Sequence, residues 1–160
     1  MAIDSFLKLG DLKGETQVKG FEGQLQLLAW SWGLSQSGTT HQGTGGGASK
    51  ASVQDLSFTR WVDSASPSLI HACVKGKHFP TATLTMRKAG GDAPLAYLTI
   101  KLTDIIVTSV STGSSSGEDM QTESVSLNFA AFEYAYQPQN AKGAKEGGEI
   151  TVKYNIAKND

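Results

Sequence analysis

From residue 95 to residue 136 the chain alternates apolar and polar positions almost without a break. The first arm, Leu95 to Ser111, sets Leu98, Ile100 and Leu102 on one face and Tyr97, Thr99, Lys101 and Thr103 on the other. The second, Thr122 to Tyr136, has Val125, Leu127 and Phe129 in phase. A period of two in segments rich in β-branched and aromatic residues marks strands, and the Gly/Ser spacer 112–121 is turn chemistry. The pattern therefore predicts one long antiparallel hairpin, the spine of a closed or nearly closed sheet. At Asp104 the apolar face is interrupted, and Phe132, Tyr134 and Tyr136 have the opposite parity to Phe129. A one-residue phase change moves the buried set to the other face, so a bulge or bend is predicted at Ala130-Ala131. Arms of about 15 residues would span about 50 Å if straight, which favours bending around a barrel.

The remaining elements follow from the same reading. Ile3 to Leu9 alternates and stops at Gly10-Asp11, a first strand. Gln24 to Leu34 reads as a second strong strand. Its even positions Leu28, Trp30, Trp32 and Leu34 are large and apolar, and its odd positions shrink through Leu25, Leu27, Ala29, Ser31 and Gly33. The indoles are expected to face the core and the small residues to face outward. Val53 to Val62 alternates as a strand, with Leu56, Phe58, Arg60 and Val62 sharing a parity. Ser66 as N-cap, Pro67 in the first turn, Lys75 in the last and Gly76 as terminator delimit a helix over about 66–75, with Leu69, Ile70, Cys73 and Val74 expected on its apolar face. Ala82 to Lys88 is a strand turning through Ala89 to Asp92 into residue 95, and Glu149 to Ile156, with Ile150, Val152, Tyr154 and Ile156 in phase, closes the chain. The fold class is mainly β: an antiparallel β-barrel of two packed sheets with one short helix and an extended loop over about 35–49.

Size and charge narrow the function. A chain of 160 residues is read as one domain, 1–160. The 14 Lys and Arg balance 15 Asp and Glu, and the charges are interspersed, which argues against a nucleic-acid surface or a polybasic membrane patch and towards protein partners. The single Cys73 cannot form an internal disulfide, and the first ten residues lack the basic and apolar regions of a signal peptide, so folding in a reducing cytosol is expected. No apolar run approaches the roughly 20 residues of a membrane span, so no membrane insertion is expected.

Candidate chemistry is sparse. Residues 35–49 are rich in Gly, Ser and Thr. Gly43-x-Gly45-x-x-Ala48 imitates a dinucleotide fingerprint and Gly45 to Lys50 faintly imitates a phosphate loop, but both need a helix next and a strand pattern follows. The segment reads as a flexible or partner-ordered arm with Gly38, Gly43, Gly45, Gly46 and Gly47 as its contact positions, since ordering so many glycines needs compensating contacts. Cys73, His71 and His78 do not complete a zinc set, and Cys73, His78 and Asp63 make a poor triad. Glu118, Asp119 and Glu123 read as a solvated turn without calcium-loop spacing. No catalytic residue, metal or cofactor is expected, and a binding or structural protein is favoured over an enzyme.

Several ordered motifs then carry a family resemblance across the chain. Phe6-Leu-Lys-Leu-Gly-Asp-Leu-Lys-Gly-Glu15, Leu28-Ala-Trp-Ser-Trp-Gly33, Val53-Gln-Asp-Leu-Ser-Phe-Thr59, Ser66-Pro67 with Ala72-Cys73, Gly76-Lys-His78, Val110-Ser-Thr-Gly113 and Tyr134-x-Tyr-Gln-Pro138 resemble the haemolysin-coregulated protein (Hcp) family. The resemblance implies a tail-tube protein of the bacterial type VI secretion system: a β-barrel with one helix, six copies in a ring, and rings stacked into an exported tube whose lumen shelters small effector proteins. It also implies spike, sheath and baseplate proteins as partners, a cytoplasmic origin followed by secretion without a signal peptide, and no toxin domain within this chain. On that footing Ala29, Ser31 and Gly33 are expected to line the lumen, and Gly90, Gly91 and Ala157 to meet neighbouring rings. The alternatives weighed are a secreted carbohydrate-binding β-barrel, which would be expected to show an aromatic platform or calcium ligands, and a small hydrolase, which would need a site that none of these candidates supplies.

Overall fold

The computed structural model describes residues 3–38, 50–88, 94–117 and 119–160. In chain order the elements are β1 (Ile3–Leu9), β2 (Leu25–Leu27), β3 (Ala29–Ser31), β4 (Leu34–Ser35), β5 (Ser52–Val53), β6 (Leu56–Trp61), α1 (Ser66–Lys75), β7 (His78–Lys88), β8 (Ala96–Gly113), β9 (Thr122–Tyr136) and β10 (Ile150–Asn155). The protein is mainly β, as expected. An antiparallel sheet runs β2-β1-β7-β8-β9-β6-β3, with β10 added to β9, and β4 and β5 pair as a separate small ribbon.

The two ends of that sheet are neighbours in sequence. β2 pairs with β1, β3 pairs with β6, and a bend at Leu28 alone separates them; the Leu28 N–H donates to the Thr59 carbonyl at 2.8 Å. The sheet therefore comes round on itself into a nearly closed barrel. This corrects the expectation of one strand over Gln24 to Leu34 with its even positions inward. Leu25 and Leu27 are buried in the core, Leu28 and Leu34 are exposed, and only from Trp30 onward do the indoles pack on the core cluster. The strand changes partner at Leu28, and the side chain at the corner is turned out.

The long hairpin forms with arms Ala96–Gly113 and Thr122–Tyr136. Its phase change is shared by both arms and is a bend without a bulge at Ala130-Ala131. Leu102 faces Phe132 and Ile105 faces Phe129, so the pairing register runs unbroken past the bend, yet both strands switch buried parity there. Asp104 absorbs the turn with φ of 54°. The other edge of β9 changes neighbour at the same place, from β6 over Thr122–Leu127 to β10 over Ala131–Tyr136. A register shift does occur in β8, between Val107 and Ser109. The bend lets one pair of strands serve both layers of the barrel.

The interior is filled by Leu7, Leu9, Leu25, Leu56, Phe58, Leu69, Phe79, Leu84, Met86, Ile100, Ile105, Val125 and Leu127, all at most 3% exposed. Phe6, of the opposite parity to Leu7, is also buried, because the loop after β1 folds back and stacks Phe21 on it at 4.3 Å between ring centroids. The Arg87 guanidinium lies over both rings. Gly10 makes a close approach that a side chain would block: with φ of 53°, a Cβ there would sit 2.8 Å from Phe79 Cδ1.

The helix has the expected bounds, but Ser66 does not cap it. The cap position is Ala65, whose N–H is held by Asp63 Oδ1 at 2.8 Å. The Ser66 hydroxyl instead accepts from the Asp63 N–H at 3.0 Å and donates to Glu123 Oε1 at 3.0 Å. Leu69 and Ala72 are buried and Cys73 is half-buried, whereas Ile70 and Val74, expected on the same face, are 45% and 73% exposed. The stripe that meets the barrel is narrow and falls on Ala65, Leu69 and Ala72.

Glu123 also differs from expectation. It is 2% exposed, and together with Asp63 it holds Arg60, which is itself 2% exposed. The guanidinium also reaches the Ser66 hydroxyl at 3.5 Å, so one buried cluster ties β6, β9 and the start of α1. The Arg60 Nε is left without a partner. Breaking a buried pair from one side strands the remaining charge, which costs about 3–5 kcal/mol, whereas replacing both partners by apolar groups of similar volume is often neutral. Glu123→Ala is thus expected to lower the denaturant-measured unfolding free energy by about 3–5 kcal/mol, and Arg60→Met/Glu123→Leu by much less. A double variant no more stable than Glu123→Ala would contradict that account.

Candidate functional site

The outward face of β3, β6, the first half of β9 and the second half of β8 is built from hydroxyls. Register fixes its rungs. Ser31 lies opposite Ser57, Ser57 opposite Ser126 and Ser126 opposite Ser109. One rung along, Ala29, Thr59, Ser124 and Ser111 stand in line in the same way. These two rungs carry no charged side chain across four strands. The Ser57 and Ser126 hydroxyls are 3.1 Å apart and those of Thr59 and Ser124 3.5 Å, so part of the wall's hydrogen bonding is satisfied within it. Below it the Asp55 carboxylate accepts from Thr108 Oγ1 at 2.8 Å and from Asn128 Nδ2 at 2.9 Å, which ties down the charge bordering the wall.

Trp32 orients the strand that carries Ser31. Its indole N–H donates to the Gln54 carbonyl at 3.0 Å. Its ring lies 4.8 Å from Phe132, 6.3 Å from Phe129 and 6.5 Å from Tyr134. With Trp30 and Trp32 turned towards the core, Ala29 and Ser31 are exposed on the opposite side.

Gly33 does not join them. It is half-buried, and a Cβ there would come within 3.3 Å of Gln54 Oε1, so its smallness serves the β4–β5 ribbon. Gly38 is exposed with open space around it, and Ala157 is exposed in a C-terminal turn closed by paired backbone bonds between Asn155 and Asp160. Gly43, Gly45, Gly46, Gly47, Gly90 and Gly91 lie outside the described residues. Ser57, Thr59, Ser109, Ser111, Ser124 and Ser126 belong to the wall and were not singled out in sequence. Each sits at the polar beat of an alternating strand, but only the pairing register brings them together.

The other limb of the hairpin presents the reverse character. Thr83, Lys101, Glu133 and Lys153 form a rung across β7, β8, β9 and β10, over a depression of about 470 Å³ that Thr81, Thr103, Asn155 and Asp160 also line. Among the described residues two groups have shifted proton affinities, and neither is on the wall. The Glu22 carboxyl is held below its ordinary value by backbone N–H groups, its own and that of Gly20, and the Tyr97 phenol is raised above 10.0, first by burial and then by Tyr134 and Tyr136. Of the Cys73, His78 and Asp63 triad weighed from the sequence, His78 pairs with Asp104 at 2.8 Å on the surface and Asp63 with Arg60 at 2.6 Å, while the Cys73 thiol is free and half-buried. Among the described residues no group of three or more His, Cys, Asp and Glu could hold a metal ion, and no helix is long and apolar enough to cross a membrane.

An antiparallel, nearly closed β-barrel with, among the described residues, one helix and a neutral four-strand face is the class that these observations define. The family model described as "Type VI secretion system effector, Hcp" matches residues 6–136, and the chain belongs to that family. It is 54% identical over 159 residues to the protein hcp1 of Pseudomonas aeruginosa PAO1, covering 99% of this chain and 98% of that protein. A solved structure of a type six secretion system protein superposes with a TM-score of 0.91 at 30% identity, covering 99% of both chains. The crystal structure of Hcp1 from Salmonella typhimurium does so with a TM-score of 0.80 at 39% identity, over 99% of this chain and 98% of that one.

Truncating a packed Trp typically costs about 3–5 kcal/mol, and Trp32 is partly open, so Trp32→Ala is expected to cost about 3 kcal/mol. Ser57→Ala, which deletes one neutral hydroxyl bond, is expected to cost about 1 kcal/mol or less. Urea unfolding of the two variants checks the ranking; an equal loss would mean that the wall, too, is a packing surface.

Proposed function

We propose that this protein is the repeating subunit of a type VI secretion tube, a single Hcp-like domain that assembles as six-membered rings and carries small effector proteins against its hydroxyl wall. The observation that carries the reading is the wall itself: four strands wide, free of charge on its two middle rungs, and open at both ends. Among the described residues β3 has no strand on its far edge, and neither has β8 beyond Val107, because β7 pairs only as far as Ile106. A sheet ending in two different free edges can be continued by identical copies, the edge of one chain meeting the opposite edge of the next, and such head-to-tail contacts close into a ring when the rotation permits. The small side chains keep a bore open, and their hydroxyls offer hydrogen bonds to a polar protein surface. Family membership supports the same reading.

With the wall turned inward, the Lys101–Glu133–Lys153 rung is the face we assign to sheath contact, and the strand ends near Gly90 and Ala157 to the rings above and below, where spike and baseplate proteins also meet the stack. Export follows the type VI route from the cytoplasm, and the role is structural with no catalytic step. Light scattering on a size-exclusion column with negative-stain imaging tests the assembly: particles of six chains with a central hole are expected, and a protein that stays monomeric at high concentration sinks it. Ser31→Gln tests the wall. The position is exposed, so ring size and melting temperature should hold while co-purification of effectors falls; a dissociated ring would mean that Ser31 is a packing residue.

A further inference from the structure

Resting on the cargo reading above, we propose that the hydroxyl wall is directional: Trp61 seats an apolar side chain of the carried protein at one end, and the Asp55 carboxylate takes a cationic group of it at the other. Asp55, Ser57, Thr59 and Trp61 share the outward parity, because Leu56, Phe58 and Arg60 between them are buried. One strand thus carries both ends of the wall. At a rise of about 3.3 Å per residue, the six steps from Asp55 to Trp61 span about 20 Å.

Each end is built from what the middle lacks. Trp61 lies opposite Thr122, and Thr122 opposite Gly113, so the rung beyond Thr59 has one large side chain beside small ones. Of the three tryptophans, Trp30 and Trp32 pack on the core, whereas Trp61 does not and is 40% exposed. Leu28, turned out at the corner and tied to Thr59 by its N–H, borders the same end and is 49% exposed. Other exposed apolar residues, such as Ile150 at 64% and Val152 at 55%, lie on β10, away from the wall. A large aromatic in water beside a surface that only hydrogen-bonds is suited to anchor a protein partner, because it supplies the apolar area that the hydroxyls cannot. At the opposite end Thr108 and Asn128 fix Asp55 without neutralising it, and among the described residues no Lys, Arg or His forms an ion pair with it. A carboxylate has about four acceptor sites, so about two remain for a cationic donor.

In the ring these ends become the two mouths of the bore. Copies that continue the sheet edge to edge lay its strands along the axis rather than round it, so the Trp61 and Asp55 rungs fall at opposite mouths. Six chains then give one aromatic belt and one acidic belt. A cargo protein with an apolar patch and a basic patch about 20 Å apart is held in one orientation, since the reverse pose puts a cation on the indole end and an apolar group on the carboxylate.

Titration calorimetry of the assembled protein with the peptide acetyl-Phe-Ser-Asn-Ser-Asn-Ser-Lys-amide, whose ends lie about 20 Å apart when extended, tests both contacts as double-mutant cycles. Replacing the peptide's Phe by Ser should weaken binding to wild type at least about 10-fold, but to Trp61→Ser by less than about 2-fold. Replacing its Lys by Ser should weaken binding to wild type about 3-fold, an effect that vanishes in Asp55→Asn and persists in Trp61→Ser. Trp61→Phe, which keeps an aromatic face, should bind like wild type. Light scattering follows the ring in every variant. Wild-type rings that bind the peptide no better than its Ser-substituted forms, or Trp61→Ser rings that still distinguish Phe from Ser, overturn the directional site and leave the ring reading standing. So does a Trp61→Ser protein that no longer forms rings, because Trp61 is then a packing residue. A wild type that stays monomeric at every concentration overturns both.

Discussion

The corner at Leu28 is the constraint on which the rest of the barrel depends. Two strands of three residues each, β2 and β3, hold opposite ends of one sheet and are joined through a single residue. Unless Leu28 turns outward, Leu25 and Leu27 cannot face the same interior as Trp30 and Trp32, because their parities differ. The corner leaves a leucine in water, a modest loss set against two buried leucines and two indoles on the core. Closing the sheet this way also determines that Ala29 and Ser31 face outward beside β6.

A second corner, at Asp104 and Ala130, does for the long hairpin what Leu28 does for the short strands. Because β8 and β9 bend together, their pairing is not interrupted, and the cost is one non-glycine residue at positive φ. The bend divides the barrel's outer surface into a neutral limb and a charged limb drawn from the same two strands. Lys101 and Glu133 precede and follow it in the chain but lie on one side of it; Ser109, Ser111, Ser124 and Ser126 lie on the other.

How much of this was legible in the sequence depended on whether a feature is local. Period-two alternation located the hairpin, and Pro67, Lys75 and Gly76 bounded the helix, because caps and periodicity act over a few residues. Partner changes are not local. Gln24 to Leu34 reads as a continuous strand because apolar residues occupy both parities, and nothing nearby says that the first half pairs with β1 and the second with β6. The same limit hid the fate of Ile150 and Val152: alternation marks a strand with one apolar face, but it cannot say whether the barrel extends far enough to cover that face. Glu123 follows a polar turn and reads as solvated, yet its partner Arg60 is 63 residues away. Arg60 itself shared a parity with Leu56 and Phe58, so its inward direction was visible; what it would meet there was not. Ala29 and Ser31 could be assigned to an outward face from the indoles beside them, while the six further hydroxyls of the wall needed the register.

The charges of β6 and of the first half of β9 run against the usual order. A two-faced strand normally turns its ionic residues to water and its neutral ones inward. Here the charged residues of the two strands, Arg60 and Glu123, are inside, and Thr59, Ser124, Ser57 and Ser126 are outside. Stability alone gives little reason for this, since a buried ion pair recovers its desolvation cost at best incompletely and leaves Arg60 Nε unbonded. Placing the same pair on the outer face would be nearly free, but it would put a cation and an anion in the middle of the wall. The arrangement is understandable if the outer face is the one under constraint: it has to stay small, uncharged and able to hydrogen-bond in any direction. The cluster inside then takes on a structural task, joining β6, β9 and α1. That inversion supports the proposal that the hydroxyl wall, rather than the charged limb, is the surface turned to the tube's interior.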